Sequence, residues 1–383
     1  MREPTVIESN AYTFYLKKRS IPKGCQQCLQ GAKAVLFLNG ICQNPNHCSW
    51  YCPISENRKG KKDTYINEIQ IFSKEQILKE LELINAKGLS ITGGDPLFEP
   101  NLINTLDYIK FIKNNKGNKF HIHLYTNGLN FDEEIAKKLA QAGLDEIRFN
   151  PPKEHWRVIK YALNKGMVVG AEVPVIPNVK KLEDLKEFIF YLDNIGADFI
   201  NLNEFEYCFP NSQNLKNQGY LLEEGTIASV KNSKKSAISL LKEIAPKVSL
   251  QIHFCTIRAK DFWQLKERYL RRAKSIKLPY EQITSEGLLL YAQIEGKRGE
   301  IKDFSTMLLN ELKFPRKFIY YEEDYVRLPV WIAIRESFID LIDKYNLKGY
   351  IIEITPFRDD RYQQITEKTP IRLFKKEMGL NED

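Results

Sequence analysis

Several features that would classify a chain at once are missing from this one. No apolar run approaches the roughly 18 residues that a membrane-crossing helix requires, so no such helix is expected. The opening MREPTVIESN lacks the basic-then-apolar pattern of a secretory signal, which makes a cytoplasmic location the default expectation. There is no low-complexity segment, and no basic motif interleaved with aromatics of the kind that grips nucleic acid. What is present fits a globular protein. The chain has 383 residues, 43% of them hydrophobic and 28% charged, enough for one large domain and an appended smaller one. Abundant Lys, Glu and Ile give it a heat-adapted cast. The formal charge of +8 permits an anionic partner such as RNA. Basic runs stand at Lys17-Lys18-Arg19, at residues 58–62 and at Arg271-Arg272, and a solvated Lys-rich surface explains them more simply. Without a signal peptide, seven cysteines speak for metal or redox chemistry rather than disulfides.

From about residue 34 to 205 one unit recurs: an amphipathic helix, a glycine, a short apolar strand. The glycines are Gly88, Gly117, Gly143, Gly166 and Gly196, the residue type suited to a chain turning through positive φ at a helix end. Ser73 with Gln76 reads as a capping box ahead of Ile77, Leu81 and Ile84 on one face. Asp132 is placed to cap a helix that points Ile135 and Leu139 inward; Leu185, Phe188, Ile189 and Leu192 form another apolar stripe. Counting AVLFLNG at 34–40, six strands alternate with helices, which argues for a parallel sheet in a barrel-like or doubly wound fold. Residues 211–222 read as loop and 224–245 as helix, with VSLQIHFC at 248–255 a candidate seventh strand. Beyond lie a helix at 258–274 and strands GLLLYAQIEG, KFIYYEEDYVRL and GYIIEITPF, a small α+β domain. The organisation expected is an arm carrying a CxxC over 1–33, a core over 34–210 and an α+β extension over 211–383.

Functional groups in parallel α/β folds gather where strands end. The loop after the first strand, NGICQNPNHCSWYCPIS, puts Cys42, Cys48 and Cys52 together. Three thiolates hold a cubane cluster and leave one iron without a protein ligand. From spacing alone a zinc site is equally open, since Cys25-x-x-Cys28 lies upstream and completes a ribbon-like set. The second strand ends in Thr92-Gly93-Gly94-Asp95-Pro96, the third in HLYTNG at 123–128. Arg148, Glu172, Asn201 and Asn203 stand on the fourth to sixth strands. His121 and His123 share a strand face and read as core; Cys208 reads as an ordinary thiol or a spare ligand.

In this ordered set the sequence resembles the radical S-adenosylmethionine (radical SAM) superfamily, within it a branch related to pyruvate formate-lyase activating enzyme. The superfamily's usual C-x3-C-x2-C spacing is C-x5-C-x3-C here, and its Gly-Gly-Glu-Pro motif has Asp95 for the acid. The resemblance, over residues 30 to 205, implies a partial (βα)6 TIM-like barrel. It implies a [4Fe-4S] cluster on Cys42, Cys48 and Cys52 and S-adenosylmethionine held by Tyr51, Gly93, Gly94, Asp95, Thr126, Asn127, Arg148, Glu172 and Asn203. A flavodoxin- or ferredoxin-like electron donor follows, and a 5′-deoxyadenosyl radical is the expected product of cleavage. The substrate stays open, and an activase that makes a radical on a partner protein is one alternative. A different class is a zinc-ribbon nucleic-acid-binding protein using Cys25, Cys28, Cys42 and Cys48. A second metal site, zinc or an iron–sulfur cluster, is expected on Cys25, Cys28, His253 and Cys255, because residues two apart on a strand share a face.

Overall fold

The computed structural model describes residues 6–16, 20–44 and 46–379; the basic run Lys17-Lys18-Arg19 lies outside them. The chain falls into two compact units, one ending at Leu265 and the other starting at Lys266.

The first unit is built on one sheet of eleven strands: β1 (Val6–Glu8), β2 (Thr13–Leu16), β3 (Lys33–Phe37), β4 (Thr64–Ile66), β5 (Ile69–Ile71), β6 (Gly88–Thr92), β7 (His121–Thr126), β8 (Glu146–Phe149), β9 (Val168–Val175), β10 (Phe199–Glu204) and β11 (Gln251–Cys255). Its order is β1-β2-β11-β10-β9-β8-β7-β6-β3-β4-β5. From β3 through β6 to β11 every pairing is parallel, and spatial order follows chain order. A doubly wound sheet would reverse direction at a switch point; this one never does, so it is the partial (βα)6 barrel with β11 as a seventh strand. Two hairpins not foreseen from the sequence extend it, β4–β5 antiparallel beside β3 and β1–β2 beside β11.

Helices α2 (Glu75–Leu83), α3 (Glu99–Lys116), α4 (Glu133–Ala142) and α5 (Val179–Asn194) alternate with the strands. Their apolar stripes are buried as the spacing predicts, with Ile77, Leu81, Leu139, Ile189 and Leu192 all at 1% exposure or less. Asp132 does cap α4, accepting from the Ile135 amide at 2.8 Å. Gly88 does not end α2. Asn85 takes the left-handed turn at φ +45°, and Gly88 opens β6, where a Cβ would stand 2.1 Å from Gln27 Oε1. The β8–β9 connection is a 3-10 helix, Lys153–Ala162, which starts only after Pro151-Pro152 and so has few residues left before β9.

The expected domain boundary at residue 210 falls inside this unit. Residues 211–222, read as loop, contain α6 (Ser212–Asn217), and the helix expected from 224 begins later, as α7 (Ser233–Ile244). The delay has a cause: β-bridges Glu206–Ser229 and Leu222–Val230 hold the intervening chain, and Glu223 accepts from the Asn232 amide at 2.9 Å. The N-terminal arm is also part of this unit, through β2 and the short helix α1 (Lys23–Leu29).

The second unit is α+β. Strands β12 (Gln282–Ile283), β13 (Leu289–Glu295), β14 (Tyr320–Tyr321), β15 (Tyr325–Leu328), β16 (Lys348–Ile354) and β17 (Ile365–Pro370) form an antiparallel sheet ordered β14-β15-β13-β16-β17, with β12 on β13. Its core includes Ile294, Phe304, Val326, Ile339 and Ile351. KFIYYEEDYVRL is a hairpin rather than one strand, because Glu322 turns the chain and bonds the Tyr325 carbonyl at 2.9 Å. No helix among the described residues is long and apolar enough to cross a membrane.

Candidate active site

Strand alternation separates the sheet's two faces. Ala34, Leu36, Ile91, Leu124, Ile147 and Leu202 point to the helices and are fully buried. The opposite, inner face carries polar groups at matching register: Lys33, His121, His123, Glu146, Arg148, Glu172, Asn201, Asn203 and His253.

The cysteine loop rises from the C-terminal end of β3. Its base is zipped, Gly40 donating to the Lys61 carbonyl at 2.8 Å and Gly60 to that of Gly40 at 2.8 Å. A Cβ on Gly40 would lie 1.7 Å from Arg58 O, and one on Gly94 would lie 2.0 Å from Ile41 O. Gly93 and Gly94 are thus required where the end of β6 presses against residues 39–41. The Asn101 side chain donates to the carbonyls of Ile41 at 3.0 Å and Asp95 at 2.7 Å, tying the two segments together.

Cys42, Cys48 and Cys52 are all free and half-buried on this loop. Asn46 Nδ2 donates to Cys42 Sγ at 3.2 Å, and Asn127 Nδ2 approaches the same sulfur at 3.8 Å. Burial pushes the Cys42 thiol up to about 11 and the Cys48 thiol to about 12, with Asp95 and the neighbouring cysteines adding to the rise. The loop's far side is fixed by aromatics: Trp50 meets Tyr51, Phe205 and Tyr220 at ring separations of 5.0, 5.9 and 6.1 Å. Tyr51 itself packs on Phe205 at 5.8 Å, its hydroxyl accepts from Asn150 Nδ2 at 3.2 Å, and its carbonyl accepts from Asn211 Nδ2 at 3.0 Å. Phe205 follows β10 directly, so the loop is pinned from β3 across to β10. Cys208 is half-buried and within electrostatic reach of Cys52.

Asp95 is 1% exposed. Its oxygens accept from Thr126 Oγ1 at 3.1 Å, the Asn127 amide at 2.7 Å and the Leu97 amide at 2.8 Å. Burial lifts its carboxyl to about 6 against these hydrogen bonds. The acid therefore braces the ends of β6 and β7 from inside.

Three residues expected at the cofactor are bonded to one another. Arg148, 2% exposed, lies between Glu146 and Glu172, and Asn203 Nδ2 donates to Glu172 Oε1 at 2.9 Å. The Arg148 guanidinium thus faces two carboxylates, and Glu172 has both oxygens engaged. The rest of this inner network went unseen in the sequence. Glu146 meets His121 Nε2 at 3.3 Å and His123 Nδ1 at 3.6 Å, while Lys33 contacts His123. His121, His123 and Glu146 form, among the described residues, the set of three whose ligand atoms lie within 4.8 Å of one another. Lys33 and Arg148 already supply the cations there, which disfavours a metal. Burial holds the Lys33 ammonium down at about 8 and both imidazoles low. Glu146 stays ionised: burial opposes the charge, but Arg148 and the histidines outweigh it. His121 and His123 are core residues, at 3% and 1% exposure.

The donor set on the loop fits an iron–sulfur cluster. Its three thiols are free, half-buried and within electrostatic reach of one another. The set is soft and supplies three thiolates, the number an open-cornered cubane uses.

Comparison with known proteins agrees. The model of the radical SAM superfamily matches residues 42–152. A relative named "Putative glycyl-radical enzyme activating enzyme MJ0021", from Methanocaldococcus jannaschii, is 37% identical over 308 residues, 77% of this chain and 79% of that protein. The chain belongs to the radical SAM superfamily, in a branch related to the glycyl-radical enzyme activating enzymes. It is an enzyme, and its cofactors are a [4Fe-4S] cluster and S-adenosylmethionine. This assignment overturns the zinc-ribbon alternative. GTP 3′,8-cyclase of Corynebacterium glutamicum is 36% identical over 67 residues, 18% of each chain. Among solved structures, SuiB of Streptococcus suis bound to S-adenosylmethionine aligns with a TM-score of 0.40 at 12% identity, over 67% of this chain and 59% of that one. With its precursor peptide SuiA bound, SuiB aligns at 0.42 over 59% of this chain and about half, 48%, of its own.

Proposed function

We propose that Cys42, Cys48 and Cys52 hold the [4Fe-4S] cluster and that the enzyme acts on a partner protein, generating a radical there. The observation that carries the ligand assignment is the placement of three half-buried thiols on one loop, braced at Asn127 and Phe205, at the C-terminal rim of the sheet. The Gly93–Gly94 turn and Asn127 line that rim and orient S-adenosylmethionine; Thr126 and Asp95 hold Asn127 in place. Cluster and cofactor together supply a 5′-deoxyadenosyl radical, which removes a hydrogen atom from an inert carbon. The protein's own part is to orient the donor and keep water away. Tyr51 and Trp50 perform the second task by sealing the loop with Phe205 and Tyr220.

The partner reading draws on the name of the Methanocaldococcus relative and on the chain beside the rim. Residues 206–230 expose Phe209 at 86%, Leu221 at 59% and Ile227 at 82%, apolar side chains available to a partner. A flavodoxin- or ferredoxin-like protein would deliver the electron, in the cytoplasm. The test is anaerobic incubation of the reduced enzyme with S-adenosylmethionine and a co-produced glycyl-radical partner, followed by electron paramagnetic resonance. A persistent organic radical on the second chain is expected, lost in Phe209→Asp while 5′-deoxyadenosine still forms. Repeated turnover of a small molecule with no radical on a second chain would contradict it.

A further inference from the structure

Helix α1 does not lie outside the barrel like the other helices; it sits against the inner face. The Gly24 amide donates to Glu146 Oε2 at 3.2 Å, and a Cβ on Gly24 would collide with His123 Nδ1 at 2.3 Å, Arg148 at 2.5 Å and Lys33 Nζ at 2.6 Å. Gln27 Nε2 reaches the Lys87 carbonyl at 3.1 Å, at the entrance to β6. Only glycine lets the helix approach this closely. The consequence is that Cys25 and Cys28 are carried into the barrel, where Cys25 is 5% exposed and lies within reach of Arg148 and Glu172.

The last parallel strand brings two more donors to the same face. In β11, His253 is paired with Asn201 and Cys255 with Asn203, and across the other edge they face Tyr15 and Thr13 of β2. His253 and Cys255 are 1% and 5% exposed. The neighbours that Cys25 and His253 sense are the same Arg148 and Glu172, while Cys28 neighbours both Cys25 and Cys255. His253 is held as metal-bound histidines are held: Nδ1 is 2.5 Å from Asn201 Oδ1, and the buried Nε2 has no partner among the described residues. An amide oxygen on Nδ1 fixes the tautomer that leaves the Nε2 lone pair bare. Gln264 Nε2 donates to Cys255 Sγ at 3.4 Å, an outer hydrogen bond of the kind that orients a ligating thiolate.

The lid over these groups is unusual. Residues Ala259–Gln264 form a π-helix, a rare conformation that is frequent at functional sites. Its Trp263 donates to the Leu29 carbonyl at 2.9 Å, locking the end of α1 to the segment that follows β11.

The geometry points to a second iron–sulfur cluster inside the barrel, ligated by Cys25, Cys28 and Cys255 with His253 Nε2 as the fourth donor. Binding converts three thiols to thiolates and releases their protons. A soft set of three thiolates and one imidazole suits an iron–sulfur centre; zinc on the same donors is the opposite outcome, which the metal analysis below reads directly. With four protein ligands and burial under α1 and the π-helix, this cluster has no vacant iron for S-adenosylmethionine. It is an auxiliary centre, and β7 connects the two: Tyr125 neighbours Cys25 and Cys28, and Asn127, two residues on, reaches Cys42.

The test starts from the Cys42→Ala, Cys48→Ala, Cys52→Ala triple variant, purified and reconstituted without oxygen, so that failure of the rim assignment and failure of this one are separable. Iron and acid-labile sulfide should persist in it, and adding Cys25→Ser with Cys255→Ser should remove them. Should the quintuple variant not fold, the wild type decides: iron and sulfide equivalent to two clusters per chain, with two distinct spectroscopic signatures, support the site. A triple variant free of iron, zinc in place of iron, or a wild type with a single cluster overturns it.

Discussion

Cys42, Cys48 and Cys52 occupy a half-buried loop at the rim of the sheet, whereas Cys25 and Cys255 are each 5% exposed on its inner face. The first group shares its loop with Asn46, His47 and backbone turns; the second has His253 on the neighbouring strand and a segment bonded to the end of α1 above it. The difference teaches what a thiol cluster can be used for. Three ligands at the rim leave room for an exchangeable cofactor, while a set of four, with Cys25, His253 and Cys255 buried and Cys28 half-buried, leaves no open iron. Both depend on the polar inner face being electrically balanced, Lys33 and Arg148 against Glu146 and Glu172.

The sharpest break of the comparison is on cleavage. Cys52→Ala should reduce 5′-deoxyadenosine formation to background, while Cys255→Ser should leave the rim cluster's absorbance in place; equal loss in both would erase the distinction. Next is Glu146→Gln, which leaves Arg148 with Glu172 alone and Lys33 without its buried counter-charge. It should cost about 3–5 kcal/mol, read from the urea midpoint, since an uncompensated buried charge is left behind. Trp50→Ala removes a half-buried anchor of the rim loop and should cost roughly 2 kcal/mol, below the figure for a fully buried Trp. Iron occupancy should drop at the rim alone, measured in a Cys25→Ser, Cys255→Ser background. The smallest effect is Asp132→Ala, loss of an exposed cap on α4, at about 1 kcal/mol with both metal contents unchanged.

The parallel order of the barrel was legible because helix stripes and strand runs alternate with little interruption, down to the seventh strand at His253 and Cys255. The loop carrying Cys42, Cys48 and Cys52 was legible because strand ends are where α/β folds present chemistry. Arg148, Glu172 and Asn203 were read as separate polar groups, and the reason is physical. Periodicity says that they share a face, but not that Glu146 stands one register step away to claim the guanidinium. Likewise nothing in KGCQQCL announces a helix inside the barrel; the signal is Gly24, whose missing Cβ makes sense only beside His123, Arg148 and Lys33. Asp95 read as a ligand-facing acid because a sequence motif does not show that the ends of β6 and β7 consume its hydrogen bonds.

The central claim is that the rim thiols bind the cluster that cleaves S-adenosylmethionine. Wild type and Cys52→Ala, each reconstituted anaerobically, reduced and given the cofactor, should differ completely: the wild type forms 5′-deoxyadenosine and the variant does not, with the rim cluster's absorbance lost. Undiminished cleavage by the variant would contradict the claim.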